Sequence, residues 1–188
     1  MVAVFNRLPL GIDASMNASS PRDDLLRLRD VYLNDHWAGA AAGSALAARL
    51  AKENVKSPWG TDLASISDQI RADKKTLAEI RRQLHSNGGA MKKAVALVGE
   101  RVTRLKPNGR LHRYSPLSRV LELEALISGV SAKQRLWVAL QTMDQSAELL
   151  AAFDLQGLED RANSQLDLLR SIHVAASGVA FGGICRSG

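Results

Sequence analysis

Residues 62–84 read DLASISDQIRADKKTLAEIRRQL, and their spacing decides the fold. Leu63, Ile66, Ile70, Leu77, Ile80 and Leu84 recur at intervals of three, four and seven. That is the period of a helix with one apolar face, not the alternation of a strand. One slot in the rhythm is not apolar: Asp73 stands where a leucine would. Thr61 is expected to cap this helix, with Asp62 at the positive end of its dipole and Asn87-Gly88-Gly89 as its stop.

The same period extends outward in both directions. A first long helix is expected over 21–54, capped by Ser19 or Ser20, with Pro21 in its first turn and Asp23 and Asp24 beside it. Its seam reads Leu25, Leu28, Tyr32, Asp35, Gly39, Ala42, Leu46, then Arg49 or Leu50. Gly39 and Gly43 each cost about 1 kcal/mol against alanine inside a helix, which suggests a second helix passing very close. Downstream, Ser115-Pro116 opens a third long helix to about 143, with Val120, Leu123, Ile127, Val130, Gln134, Trp137 and Gln141 or Leu140 in its seam. Glu122 and Glu124 flank that seam. Asp154 caps a fourth, to about 178, along Leu155, Leu158, Ala162, Gln165, Leu169, Ile172 and Ala176. A shorter amphipathic helix fits 90–105, and Pro107-Asn108-Gly109 marks a turn after it. No stretch reads as a strand.

Composition agrees with a helical domain. Aromatic residues are only 4% of the 188, while Ala and Leu abound, which favours helices over sheets. The lone cysteine, Cys185, excludes an internal disulfide and a Cys–His zinc site, and a cytoplasmic home is expected. Neither a signal peptide nor a transmembrane run is evident. Residues 1–19 lack periodicity and are expected to form a flexible arm, with Met16 as an alternative start. The bundle domain is expected over 20–178, with a crossover at about 86–114, and 179–188 as a flexible tail. The net charge of +6 is local. Between Met91 and Arg119 stand Lys92, Lys93, Arg101, Arg104, Lys106, Arg110, Arg113 and Arg119, eight bases against the single acid Glu100, a net +7.

Four long helices with short links at both outer connections and about 30 residues in the middle define two antiparallel hairpins joined by a long crossover. Asp35, Asp73, Gln134 and Gln165 each fall near the midpoint of their helix. Midpoints share a height in an antiparallel bundle, so the four are expected to meet in one central polar layer.

Over about residues 21–178 this pattern resembles the ferritin-like four-helix bundle. The segments Leu33-Asn34-Asp35-His36 with Ala38-Gly39, and Arg104 to Leu111, are also similar to a group of actinobacterial proteins of unknown role. The ferritin-like resemblance implies two metals at mid-height, held by a Glu from each of two helices and a Glu-x-x-His from each of the others. No Glu-x-x-His occurs in this chain, and Asp35, His36 and Asp73 are the sole metal candidates. Two carboxylates and two amides are a poor donor set for a metal pair. The layer therefore reads as hydrogen-bonded, with Arg29, Arg71 or Lys133 as possible counter-charges to the aspartates.

No nucleophile elbow and no phosphate-binding glycine loop is present, so neither a catalytic residue nor a cofactor is expected. The favoured reading is an all-α, ferritin-like bundle that acts as a non-catalytic binding or interaction protein. Its candidate partners are a second copy, an acidic protein or nucleic acid. Two alternatives stay open. One is an iron- or manganese-binding redox or storage protein. The other is a polyanion or nucleic-acid binder working through Lys92, Lys93, Arg101, Arg104, Lys106, Arg110 and Arg113.

Overall fold

The computed structural model describes residues 20–86, 114–143 and 146–182. They form five helices: α1 (Pro21–Glu53), α2 (Gly60–Gln83), α3 (Pro116–Gln141), the single turn α4 (Ala147–Leu150) and α5 (Leu155–Phe181). No strand occurs among the described residues, and none of their helices is long and apolar enough to cross a membrane. The N-terminal arm, the 90–105 segment, all seven basic residues proposed for polyanion binding, and Cys185 lie outside the described residues.

Local chemistry sets most of the boundaries. Ser20 accepts from the Asp23 N–H and Ser115 from that of Ser118, each followed by a proline in the first turn. Asp154 accepts from the Gly157 N–H. Thr61 is not the cap of α2. The helix begins at Gly60, and Trp59 in the capping position makes no side-chain cap bond. Gly60 sits so near the end of α1 that a Cβ there would lie 2.6 Å from the Val55 carbonyl oxygen. At the other end of α2, Ser86 N–H bonds to the Arg81 carbonyl and His85 N–H to that of Arg82. This pairing turns the chain through a left-handed residue, here His85 with φ of 51°, before the expected glycines are reached. Helix α5 runs three residues past the expected stop.

Contacts between helix ends give the directions. Arg29, early in α1, donates to the Leu84 carbonyl just beyond α2, so α1 and α2 are antiparallel. Asn54, just after α1, meets Tyr114 and Arg119 at the start of α3, so α3 runs back beside α1. Gln141 at the end of α3 reaches Glu159 early in α5, and Glu124 early in α3 reaches His173 late in α5. Helices α3 and α5 therefore form the second antiparallel pair and pack most closely, followed by α1 with α2 and then α1 with α3.

The core is the set of seams facing inward. All six apolar positions of α2 are buried, as are Leu155, Leu158, Ala162, Leu166, Leu169, Ile172 and Ala176 of α5. Each large aliphatic side chain so buried contributes about 1.5–3 kcal/mol. In α1 the burial differs from the expected seam: Leu25 and Leu28 are 53% and 61% exposed, and Leu33, Asn34, Ala38 and Ala47 are buried instead, while Leu50 is buried as expected. Glu122 does not flank the α3 seam but is buried within it, ion-paired with Arg49. Burial pushes its carboxyl pKa up, against the pull of Arg49.

Candidate functional site

Mid-height in the helices, Asp73 is 1% exposed and carries two counter-charges. Its Oδ2 accepts from Lys133 Nζ at 2.5 Å. Its Oδ1 accepts from Arg161, at 2.9 Å from Nε and 2.6 Å from Nη2. Lys133 also donates to Gln165 Oε1 at 2.5 Å, and Gln165 Nε2 donates to Gln69 Oε1 at 2.9 Å. A continuous chain of polar bonds thus joins α2, α3 and α5. Burial pulls the Lys133 pKa down, Asp73 pushes it back up, and Arg161 lowers it further. Asp73 and Gln165 both accept hydrogen bonds from its Nζ, so Lys133 is tied into the layer.

Asp73 and Gln165 therefore meet, with Lys133 between them. Asp35 and Gln134 do not join them. Asp35 is exposed, and its neighbour Asn34 is buried, where it accepts from Arg81. Gln134 is half-buried and donates to Glu159 Oε1 at 3.0 Å. Both cases are a shift of one residue, which turns a helical side chain by about 100°. Of the counter-charges considered, Arg29 pairs with Asp30 and Arg71 with Asp68, leaving Lys133 for Asp73. Sequence reasoning missed Arg161, Gln69 and Asn34. Arg161 carries a usable signal, because it stands four residues before Gln165 and so shares its helix face.

Beside this layer lies a cavity of about 430 Å³ between α1, α2 and α3. Ile70, Leu77, Leu126, Leu136 and Trp137 supply its apolar walls. Asp35, His36, Lys74 and Lys133 supply its charged or titratable groups. Gly39 and Gly43 of α1 and Gly129 of α3 also line it, and a Cβ on any of them would meet nothing within 4 Å. The glycines of α1 do not mark a close helix approach, as their spacing suggested; they face open space. Trp137 is 0% exposed, and its indole N–H has no hydrogen-bond partner among the described residues. Lys74 Nζ stands 5.5 Å from the centre of the Trp37 ring. His36 packs edge-on against Tyr32, and burial lowers its pKa despite the opposing field of Asp35.

Among the described residues the lining contains no Ser, Thr or Cys, so none of them brings a hydroxyl or thiol nucleophile to the space. Among the described residues, no group of three or more His, Cys, Asp or Glu side chains is placed to hold a metal ion. Of the basic stretch 91–119, Arg119 is described. It donates to Asn54 and lies over the Trp59 and Tyr114 rings, so its charge is used inside the fold. No protein-family model matches the chain, and neither a curated protein nor a solved structure matches it.

Proposed function

We propose that the chain is a non-catalytic binding protein with a ferritin-like arrangement of four helices, in which internal cations take the position a metal pair holds in ferritin-like proteins. The observation that carries this reading is Asp73 gripped by Lys133 and Arg161. A metal ion at Asp73 would have to displace two positive side chains already within hydrogen-bond distance. It would then find amides rather than carboxylates as further donors, a set that suits neither iron nor manganese. The helix directions and the long connection between α2 and α3 support the ferritin-like order. The cavity beside the layer supports binding over catalysis, because it offers shape and a few polar groups but, among the described residues, no hydroxyl or thiol nucleophile.

Elemental analysis of protein purified without chelator tests the reading. Iron and manganese are expected well below one equivalent, unchanged in Asp73→Asn. Stoichiometric metal in the wild type that is lost from Asp73→Asn would overturn it.

A further inference from the structure

We infer that the α1–α2–α3 cavity is a binding site for a small apolar carboxylic acid, with an aliphatic or alicyclic body and one anionic head. This inference rests on reading the chain as a non-catalytic binding protein and names its ligand class. Three observations converge on it. The first is space without a protein reason. Three helical glycines wall the cavity, each about 1 kcal/mol less favourable than alanine in a helix, and none is required by a neighbour that a methyl group would strike. The room they leave, about 430 Å³, lies within the range of small-molecule pockets.

The second is the orphaned donor. Trp137 lines the cavity, is fully buried, and has an indole N–H with no acceptor among the described residues. Buried donors are nearly always paired. No water-sized atom reaches this N–H in the free protein, so a ligand oxygen pairs with it only by displacing part of the wall, and a pure hydrocarbon gives it no partner at all.

The third is charge. Lys133 and Arg161 share the single carboxylate of Asp73. Lys74, a further wall residue, is half-buried and has no carboxylate partner among the described residues; its cation lies over the Trp37 ring. Asp35, the one acid lining the space, is exposed to solvent. The surroundings therefore carry net positive charge, which selects an anionic head over a cationic one. The apolar wall from Ile70 to Trp137 takes the body of the same molecule.

Calorimetric titration with decanoate and, separately, with 1-decanol tests the inference on the full chain. Decanoate is expected to bind once per chain and raise the melting temperature. Decanol should bind about tenfold more weakly, since it lacks the charge-assisted contact. Gly43→Leu should abolish decanoate binding while leaving the melting temperature of the free protein unchanged or raised. Lys74→Gln should weaken decanoate about tenfold and leave decanol unaffected. Trp137→Phe, which keeps an aromatic side chain but removes the N–H, should weaken both ligands. No binding of decanoate at submicellar concentration overturns the site, as does undiminished binding by a folded Gly43→Leu. Equal affinity for decanoate and decanol, insensitive to Lys74→Gln, overturns the anionic head. None of these outcomes alters the metal content, so a failed ligand site and a failed non-metal reading give different results.

Discussion

Helix α3 is packed in opposite ways on its two sides. Towards α5 it meets a seam of bulky aliphatic side chains, Leu158, Leu166, Leu169 and Ile172, in the most extensively packed helix pair among the described residues. Towards α1 it meets a stretch from Gly39 to Gly43 where the side chains are small and a cavity opens. The difference teaches that one helix can serve as a structural partner on one face and a binding wall on the other. The polar layer at Lys133 stands where the two faces join.

The largest expected effect comes from that junction. Asp73→Leu leaves Lys133 buried without its carboxylate, and unfolding stability should fall by about 3–5 kcal/mol, read from urea denaturation. Adding Lys133→Met should return most of the loss; a double variant no better than the single one would show that the pair is not what holds the junction. On the tight side, Leu169→Ala should cost about 3 kcal/mol, because neighbours held in a dense seam collapse only partly onto the void. A loss under about 1 kcal/mol would mean that the α3–α5 seam is no better packed than the α1 side.

Glycines sharpen the contrast. Gly60→Ala drives a methyl into the Val55 and Asn54 carbonyls and should destabilise by about 2 kcal/mol. Gly43→Ala meets nothing and should stabilise by about 1 kcal/mol through helix propensity alone. If Gly43→Ala instead destabilises, the open side of α3 is packed after all. The smallest effect belongs to His36. Burial holds its pKa below the ordinary value, so the folded state prefers the neutral ring. Its contribution is therefore complete above about pH 6.5 and falls as the pH drops below that value. His36→Gln should flatten the stability difference between about pH 7.5 and pH 5.5.

The same contrast explains what could be read from sequence. Helices α2 and α5 were legible residue by residue, since large aliphatic residues at helical spacing leave a single burial register. Helix α1 was legible as a helix but not in its facing. Between Ala38 and Ala48 every residue except Leu46 is Ala, Gly or Ser, too few large side chains to fix which face turns inward. Extrapolating from Leu25 and Leu28, which prove exposed, placed Asp35 inside and Asn34 outside. In the site, Asp73 and Gln165 were found because each interrupts an aliphatic seam. Lys133 was visible as a candidate counter-charge, whereas Arg161 was missed despite its spacing from Gln165, because a long side chain can reach a buried carboxylate from a partly exposed position. The cavity itself had no sequence signal beyond glycines that were read as contact rather than as space.

Asn54 has a bearing on how the chain reaches this structure. Its amide donates to the Leu50 carbonyl and to the Tyr114 hydroxyl, both at 2.8 Å, and its oxygen accepts from Arg119. Burial pushes the Tyr114 phenol up to about 12, so the hydroxyl stays protonated at neutral pH. The two longer-range bonds span 60 and 65 residues. They close only when the α1–α2 hairpin and the start of α3 have come together. Contacts of such long sequence separation carry a larger loop-closure cost than those inside either hairpin. The Asn54 junction is thus a marker of assembly: its long-range hydrogen bonds exist only where the α1–α2 hairpin has docked on the start of α3.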